Sequence, residues 1–188
     1  ALQLISSGRE VYEVENNKKV YHQAMYKNPL YNPRIEMLKT LIEDETEKTI
    51  IWCKYQFEIE EVEQLMKHLN KSYVLLTGKI TLENREKNLI ALRNNVQFLI
   101  ANIGVGGTGL NLQFINRAIY YSNGFDWGNR TQSEDRIYRI GQDRTVYITS
   151  IYSTASIDKI IEKNLENKES LANCINRFLK ENSLKEVL

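Results

Sequence analysis

Cysteine is nearly absent from this chain of 188 residues, with Cys53 and Cys174 the only two. They lie far apart, match no metal-ligand spacing, and read as free thiols of a reducing compartment rather than as a disulfide or zinc site. Charge of one sign is lacking too. Lys and Arg number 25 against 24 acids, a net charge of +1. No global basic field therefore announces a nucleic acid, and such a partner would have to meet a local patch. No apolar run approaches the ~18–20 residues that span a membrane, and no basic-then-apolar leader opens the sequence. Glycine and proline are scarce, at 9 and 2 residues, and there is no internal repeat or low-complexity stretch. The first residue is alanine, which suggests a piece cut from something longer. The leaning to Lys, Asn and Ile is what AT-rich coding gives, and it fits a low-GC bacterium or its phage. The expected location is the cytoplasm of a bacterial or phage-infected cell.

What is present is an ordinary globular composition, 42% hydrophobic and 26% charged, long enough to bury one sizeable core. Five short β-branched and aromatic runs stand out: TIIWCKY (49–55), YVLLTG (73–78), FLIANI (98–103), RAIYYSN (117–123) and VYITSIY (146–152). Each is apolar nearly throughout, the pattern of strands covered on both faces. Helical period lies between them. Val62, Leu65, Met66 and Leu69 form one stripe, and Ile35, Leu38 and Ile42 form another behind Pro33 in a first turn. Thr81 stands three residues before Asn84, and Leu89, Ile90 and Leu92 are expected to face inward. Alternating strands and helices predict a parallel sheet with helices on both faces, a three-layer α/β/α domain. Near the C-terminus, Ile157, Ile160, Ile161 and Leu165, then Leu171, Ile175, Phe178 and Leu179, predict one or two further helices. The organisation read this way is a partly irregular lead-in over 1–30, a core lobe over 31–155, and C-terminal helices over 156–188.

GVGGTG, Gly104 to Gly109, satisfies the G-x-G-x-x-G pattern of dinucleotide sites, and Asp126 stands about where a ribose-binding acid would be wanted. Context argues against that use. The motif follows the third predicted strand instead of the first, and only LNLQFIN separates it from the next. That is too short for a helix that crosses the sheet. A close backbone approach to some ligand and a plain tight turn stay equally open. No G-x-x-x-x-G-K-[ST] loop exists. TGKI at 77–80 offers a Gly-Lys pair without the earlier glycine or the following hydroxyl, and the acids of EDET (43–46) trail a helix instead of a strand. The chain thus lacks both a phosphate cradle and a magnesium acid.

Taken together, GGTGLNLQFINRAIYYSN and QSEDRIYRIGQDRTVYI resemble the fifth and sixth motifs of superfamily-two helicases, in order and nearly in spacing. TIIWCKYQFEIEEVEQLMKHL and LLTG…NREKNLIAL are similar to the fourth motif and the segment after it. ASIDKIIEKNLENKESL resembles the closing helix, and LQLISSG the start of the lobe in phage-borne members. The likeness is to the second RecA-like lobe, the helicase C-terminal domain, of SWI/SNF-type DNA translocases, and it covers most of the chain. Ser122 stands where that family usually carries an acid, FDW (125–127) where it has Trp-Asn-Pro, and Val105 where a small alanine is usual.

The resemblance implies a site shared between two lobes. A first lobe, which this sequence does not contain, would hold ATP and Mg²⁺, and this one would close over the γ-phosphate. Phosphoryl transfer needs positive charge on the transferring group's oxygens, and an arginine arriving from a second body supplies it on closure. Arg139 is assigned as that finger and Arg136 as its γ-phosphate partner, both projecting from one face of a helix at i and i+3. Gln132, Gly107 and Gly109 would complete the ATP cleft. Thr77, Gly78, Arg85, Thr108, Asn111 and Lys54 would meet the backbone of duplex DNA, through contacts that carry little sequence information. Plainer readings exist for each. Asp135 could pair with Arg139 at i+4, Thr77 and Gly78 could form an ordinary turn, and Arg85 could be a solvated helix residue. Trp52 reads as core. The expected partners are the N-terminal lobe of the same parent and DNA, with no membrane and no oligomer. Alone, the chain should be inactive. The rival reading is a non-catalytic docking module derived from a helicase lobe, favoured if the parent carries no phosphate-binding loop upstream.

Overall fold

The computed structural model describes residues 2–13, 20–104, 110–154, 156–168 and 173. Five strands, β3 (Thr49–Cys53), β4 (Tyr73–Leu76), β5 (Phe98–Asn102), β6 (Arg117–Tyr120) and β7 (Tyr147–Ser150), form one sheet in the order β4-β5-β3-β6-β7. Every pairing in it is parallel, with Ile51 opposite Ile100 on one side and Ile119 on the other. All five predicted strands are there, each ending before the apolar run that announced it. The runs overshoot because residues just past a strand end stay buried, as Tyr121 does at 0% exposure.

Successive side chains of a strand point to opposite faces, and both faces are covered. Ile51, Cys53, Ile100 and Ile119 pack beneath α2 (Pro33–Ile42) and α3 (Gln56–His68), with Ile35, Leu38, Ile42, Val62, Leu65 and Met66. Ile50, Trp52, Leu99, Ala101 and Tyr120 pack on the other side, with Leu92 of α4 (Leu82–Asn94) and with Leu110, Leu112, Ile115 and Ile137. Each such aliphatic side chain contributes about 1.5–3 kcal/mol when buried. This is the three-layer α/β/α arrangement predicted. Two expectations need correction. Ile90 is 60% exposed, because α4 turns only its Leu89 and Leu92 edge to the sheet. The run holding β7 is not covered on both faces, since β7 is an edge strand with Tyr147 51% and Ile148 40% exposed.

Local chemistry sets the helix starts. Asn32 accepts from the Arg34 amide at 3.0 Å behind Pro33, and Thr81 accepts from Asn84 at 3.4 Å. Glu58, the third residue of α3, turns back to accept from the Tyr55 and Lys54 amides at 2.9 and 3.0 Å. In α5 (Trp127–Glu134), Asp126 accepts from the Asn129 amide at 3.1 Å.

The lead-in segment, expected to be partly irregular, holds α1 (Leu2–Ser6) and an antiparallel pair, β1 (Arg9–Glu13) with β2 (Val20–Ala24). Gly8 joins α1 to β1 at φ +82°, where a Cβ would lie 2.6 Å from the Asn32 amide nitrogen, so both conformation and space call for glycine. α6 (Ser156–Glu166) buries Ile161, whereas Leu171, Ile175, Phe178 and Leu179 lie outside the described residues. No described helix is long and apolar enough to cross a membrane.

Candidate functional site

The carboxyl ends of β3, β4, β5 and β6 form one rim, the usual place for ligands on an open α/β sheet. Lys54 follows β3 and Thr77–Gly78 follow β4, so two strand spacings, about 10 Å, separate them across β5. Between them Asn102 donates its side-chain amide to the Lys54 carbonyl at 2.8 Å. Gly78 is exposed, and a Cβ there would meet nothing within 4 Å. Thr77 is only 4% exposed, and its carbonyl is engaged by the Ile80 amide at 3.2 Å and the Arg85 guanidinium at 3.4 Å. Arg85 also donates to the Ile80 carbonyl at 3.2 Å. It is therefore the clamp of the 77–80 turn, not a freely solvated helix residue.

Lys54 is half-buried, with its ammonium on the Gln3 side-chain oxygen and 5.0 Å from the Tyr55 ring. Burial lowers its pKa, against the Glu58 carboxylate, which raises it. Glu58 is fully buried, and it accepts from Ser122 at 2.6 Å and from Ser7 at 2.7 Å. Ser122 in turn accepts from the Lys54 amide at 2.9 Å. Where the resembled family carries an acid on the strand itself, this chain brings a carboxylate to the same corner from α3. Sequence reasoning missed Glu58, because Tyr55 three residues before it is not one of the N-cap residues that make a capping box visible in sequence.

Asn111 is exposed. Its side-chain oxygen accepts from the Gln113 amide at 3.3 Å, and its carbonyl accepts from Arg93 of α4 at 3.4 Å. Gly107, Thr108 and Gly109 lie outside the described residues. Gln132 is exposed on α5.

Arg136 and Arg139 are not on a helix, contrary to expectation. α5 ends at Glu134, and the chain continues as turns. The reason is tertiary. The Arg136 carbonyl, which a continuing helix would offer to Ile140, accepts instead from the Leu112 amide at 3.1 Å. Ile137 is drawn into the core at 0% exposure, and Gly141 then reverses the chain at φ +95°. Arg136 is half-buried and Arg139 exposed. Asp135 and Arg139 form no ion pair, and among the described residues nothing holds the Arg139 guanidinium by hydrogen bond or ring contact. Its neighbours Tyr138 and Ile140 are 73% and 98% exposed. The segment presents a cation between two solvent-facing apolar side chains. Among the described residues no group of three or more His, Cys, Asp or Glu could hold a metal ion.

Residues 33–141 match the model of the helicase conserved C-terminal domain. The chain is 25% identical over 182 residues to a probable ATP-dependent helicase of Plasmodium falciparum, covering 88% of this chain and 9% of that protein. It is 30% identical over 139 residues to the putative ATP-dependent helicase/translocase YwqA of Bacillus subtilis, covering 71% and 15%. With the ATP-dependent helicase FUN30 of Saccharomyces cerevisiae it shares 27% over 138 residues, covering 72% and 12%. The chain thus spans less than a sixth of the length of these relatives. Its fold is similar to that in the crystal structure of the C-terminal part of the Fun30 ATPase domain, with TM-score 0.71 and 24% identity over 79% of this chain and 50% of that one. The likeness shows the RecA-like α/β fold.

Proposed function

The chain belongs to the helicase conserved C-terminal domain family, and from that premise we propose that it is the second motor lobe of a SWI/SNF-type, ATP-dependent, DNA-stimulated translocase. ATP and Mg²⁺ bind mainly to the first lobe of the same parent chain. Closure of the two lobes brings Arg139 onto the transferring phosphoryl group, with Arg136 on the γ-phosphate and Gln132 beside the cleft. An arginine suits this work because its planar fork stays charged and can bond two oxygens at once. Gly78, Asn111 and the Lys54 corner face the DNA backbone, with Arg85 fixing the turn that carries Gly78. Contacts of this kind position a duplex without reading its sequence, as translocation requires. The working unit is a monomer.

The observation that carries the reading is Arg139. The Gln142 amide holds its backbone carbonyl at the surface, no described residue supplies a counter-charge, and its two neighbours expose apolar surface that a second body would cover. The test is ATP hydrolysis by the full-length parent, with and without duplex DNA. The proposal expects hydrolysis that rises with added duplex. A parent with no ATPase activity would instead make this lobe a docking module.

A further inference from the structure

The loop 110–116 and the segment 136–142 are stitched to each other by hydrogen bonds and a shared core. Leu112 donates its amide to the Arg136 carbonyl at 3.1 Å. The Gln142 side-chain nitrogen donates to the Ile115 carbonyl at 2.8 Å and reaches the Ile137 carbonyl at 3.4 Å. The Gln142 amide closes the turn on the Arg139 carbonyl at 3.0 Å. Gly141 lets the two segments meet, since a Cβ there would stand 3.2 Å from the Gln113 side-chain amide. Leu112, Ile115 and Ile137 are all at 0% exposure in one core cluster, so the stitched pieces share one packed anchor. One end of this block carries Asn111, which is exposed. The other carries Arg139.

We infer that Gln142 is a positioning residue that makes the DNA-facing loop and the arginine segment one body, so that phosphate contact at Asn111 sets where Arg139 stands. The inference rests on the proposed motor function and assigns Gln142 the link between its two ends. The chemistry is donor-specific. The Gln142 side-chain oxygen accepts from the Arg144 amide at 3.1 Å, whereas its nitrogen alone ties the two carbonyls together. Gln142→Glu keeps the acceptor and removes the donors. Gln142→Met keeps the length without adding a charge to a half-buried site.

The experiment measures the full-length parent's ATP turnover against duplex DNA concentration for wild type, Gln142→Glu and Gln142→Met, with melting temperatures alongside. Coupling of this kind corresponds to factors of about 5–150, so the ratio of DNA-saturated to DNA-free turnover should fall at least about fivefold. KM for ATP and the melting temperature should stay near wild type in at least one variant. A ratio unchanged in a folded variant, or equal losses with and without DNA, overturns the inference and leaves the motor reading standing. A wild-type parent that hydrolyses no ATP overturns both.

Discussion

Arg34 and Arg139 mark the two extremes of arginine in this molecule. Arg34 is 6% exposed, and its guanidinium donates to the Tyr121, Ile151 and Ser6 carbonyls at 2.7, 3.0 and 3.3 Å and to Asp158 at 2.5 Å. It ties α2 to the ends of β6 and β7 and to α6. Arg139 is exposed, and among the described residues its guanidinium has no such partner. A buried charge must be matched inside the chain, because leaving water unpaired costs several kcal/mol. An exposed charge need not be. What sets Arg139 apart from an ordinary surface arginine is its backbone, fixed by Ile137 in the core and by the Gln142 amide on its own carbonyl. The lesson is that a structural arginine names its partner within the fold. A rigidly presented arginine without one points outward.

Substitution sharpens that contrast. The largest effect on stability belongs to Arg34→Ala, which strands Asp158 at 5% exposure and should cost about 3–5 kcal/mol, read from urea unfolding. A loss below about 1 kcal/mol would show that the pair contributes little.

A smaller effect comes from Glu61, which lies 3.3 Å from Arg9 and 3.4 Å from the Asn32 amide. Burial pushes its carboxyl up to about 7, with Arg9 pulling it down and Glu58 pushing it up further. The folded chain therefore holds a proton that the unfolded chain releases between the ordinary carboxylate range and about 7. Stability from this group is present at the acid end of that window and is lost as pH rises through it. Glu61→Gln should flatten the fall in urea midpoint between pH 5 and 7.5, and an equally steep fall in the variant would contradict the assignment. The smallest effect should be Arg139→Ala, within about 0.5 kcal/mol of wild type.

Much of the fold was legible in the sequence, and for a physical reason. A strand covered on both faces must be apolar nearly throughout, so β3 and β5 announced themselves. The stripe Val62, Leu65, Met66 likewise marked α3. The antiparallel pair β1–β2 carried no such signal, since Arg9, Glu10, Val11 and Tyr12 alternate between half-buried and exposed only in the fold, not in residue type. In the candidate site, Arg136 and Arg139 were found by their motif but placed on a helix that stops at Glu134. No local pattern predicts that the Arg136 carbonyl will be taken by Leu112, 24 positions away. Gly141 was the one visible hint that the helix could not continue. Thr77 was expected to meet the DNA backbone together with Gly78, and the structure buries Thr77 while leaving Gly78 open. The burial at a strand end depends on what Arg85 does to the turn, which spacing alone does not reveal.

The most direct measurement is ATP turnover by the full-length parent at saturating duplex DNA, wild type against Arg139→Ala, with ATP affinity measured in parallel. The account predicts that turnover falls by roughly 10³–10⁵ while ATP binding is largely kept. Turnover within a few-fold of wild type would contradict it, and would make Arg139 a surface charge with no part in the chemistry.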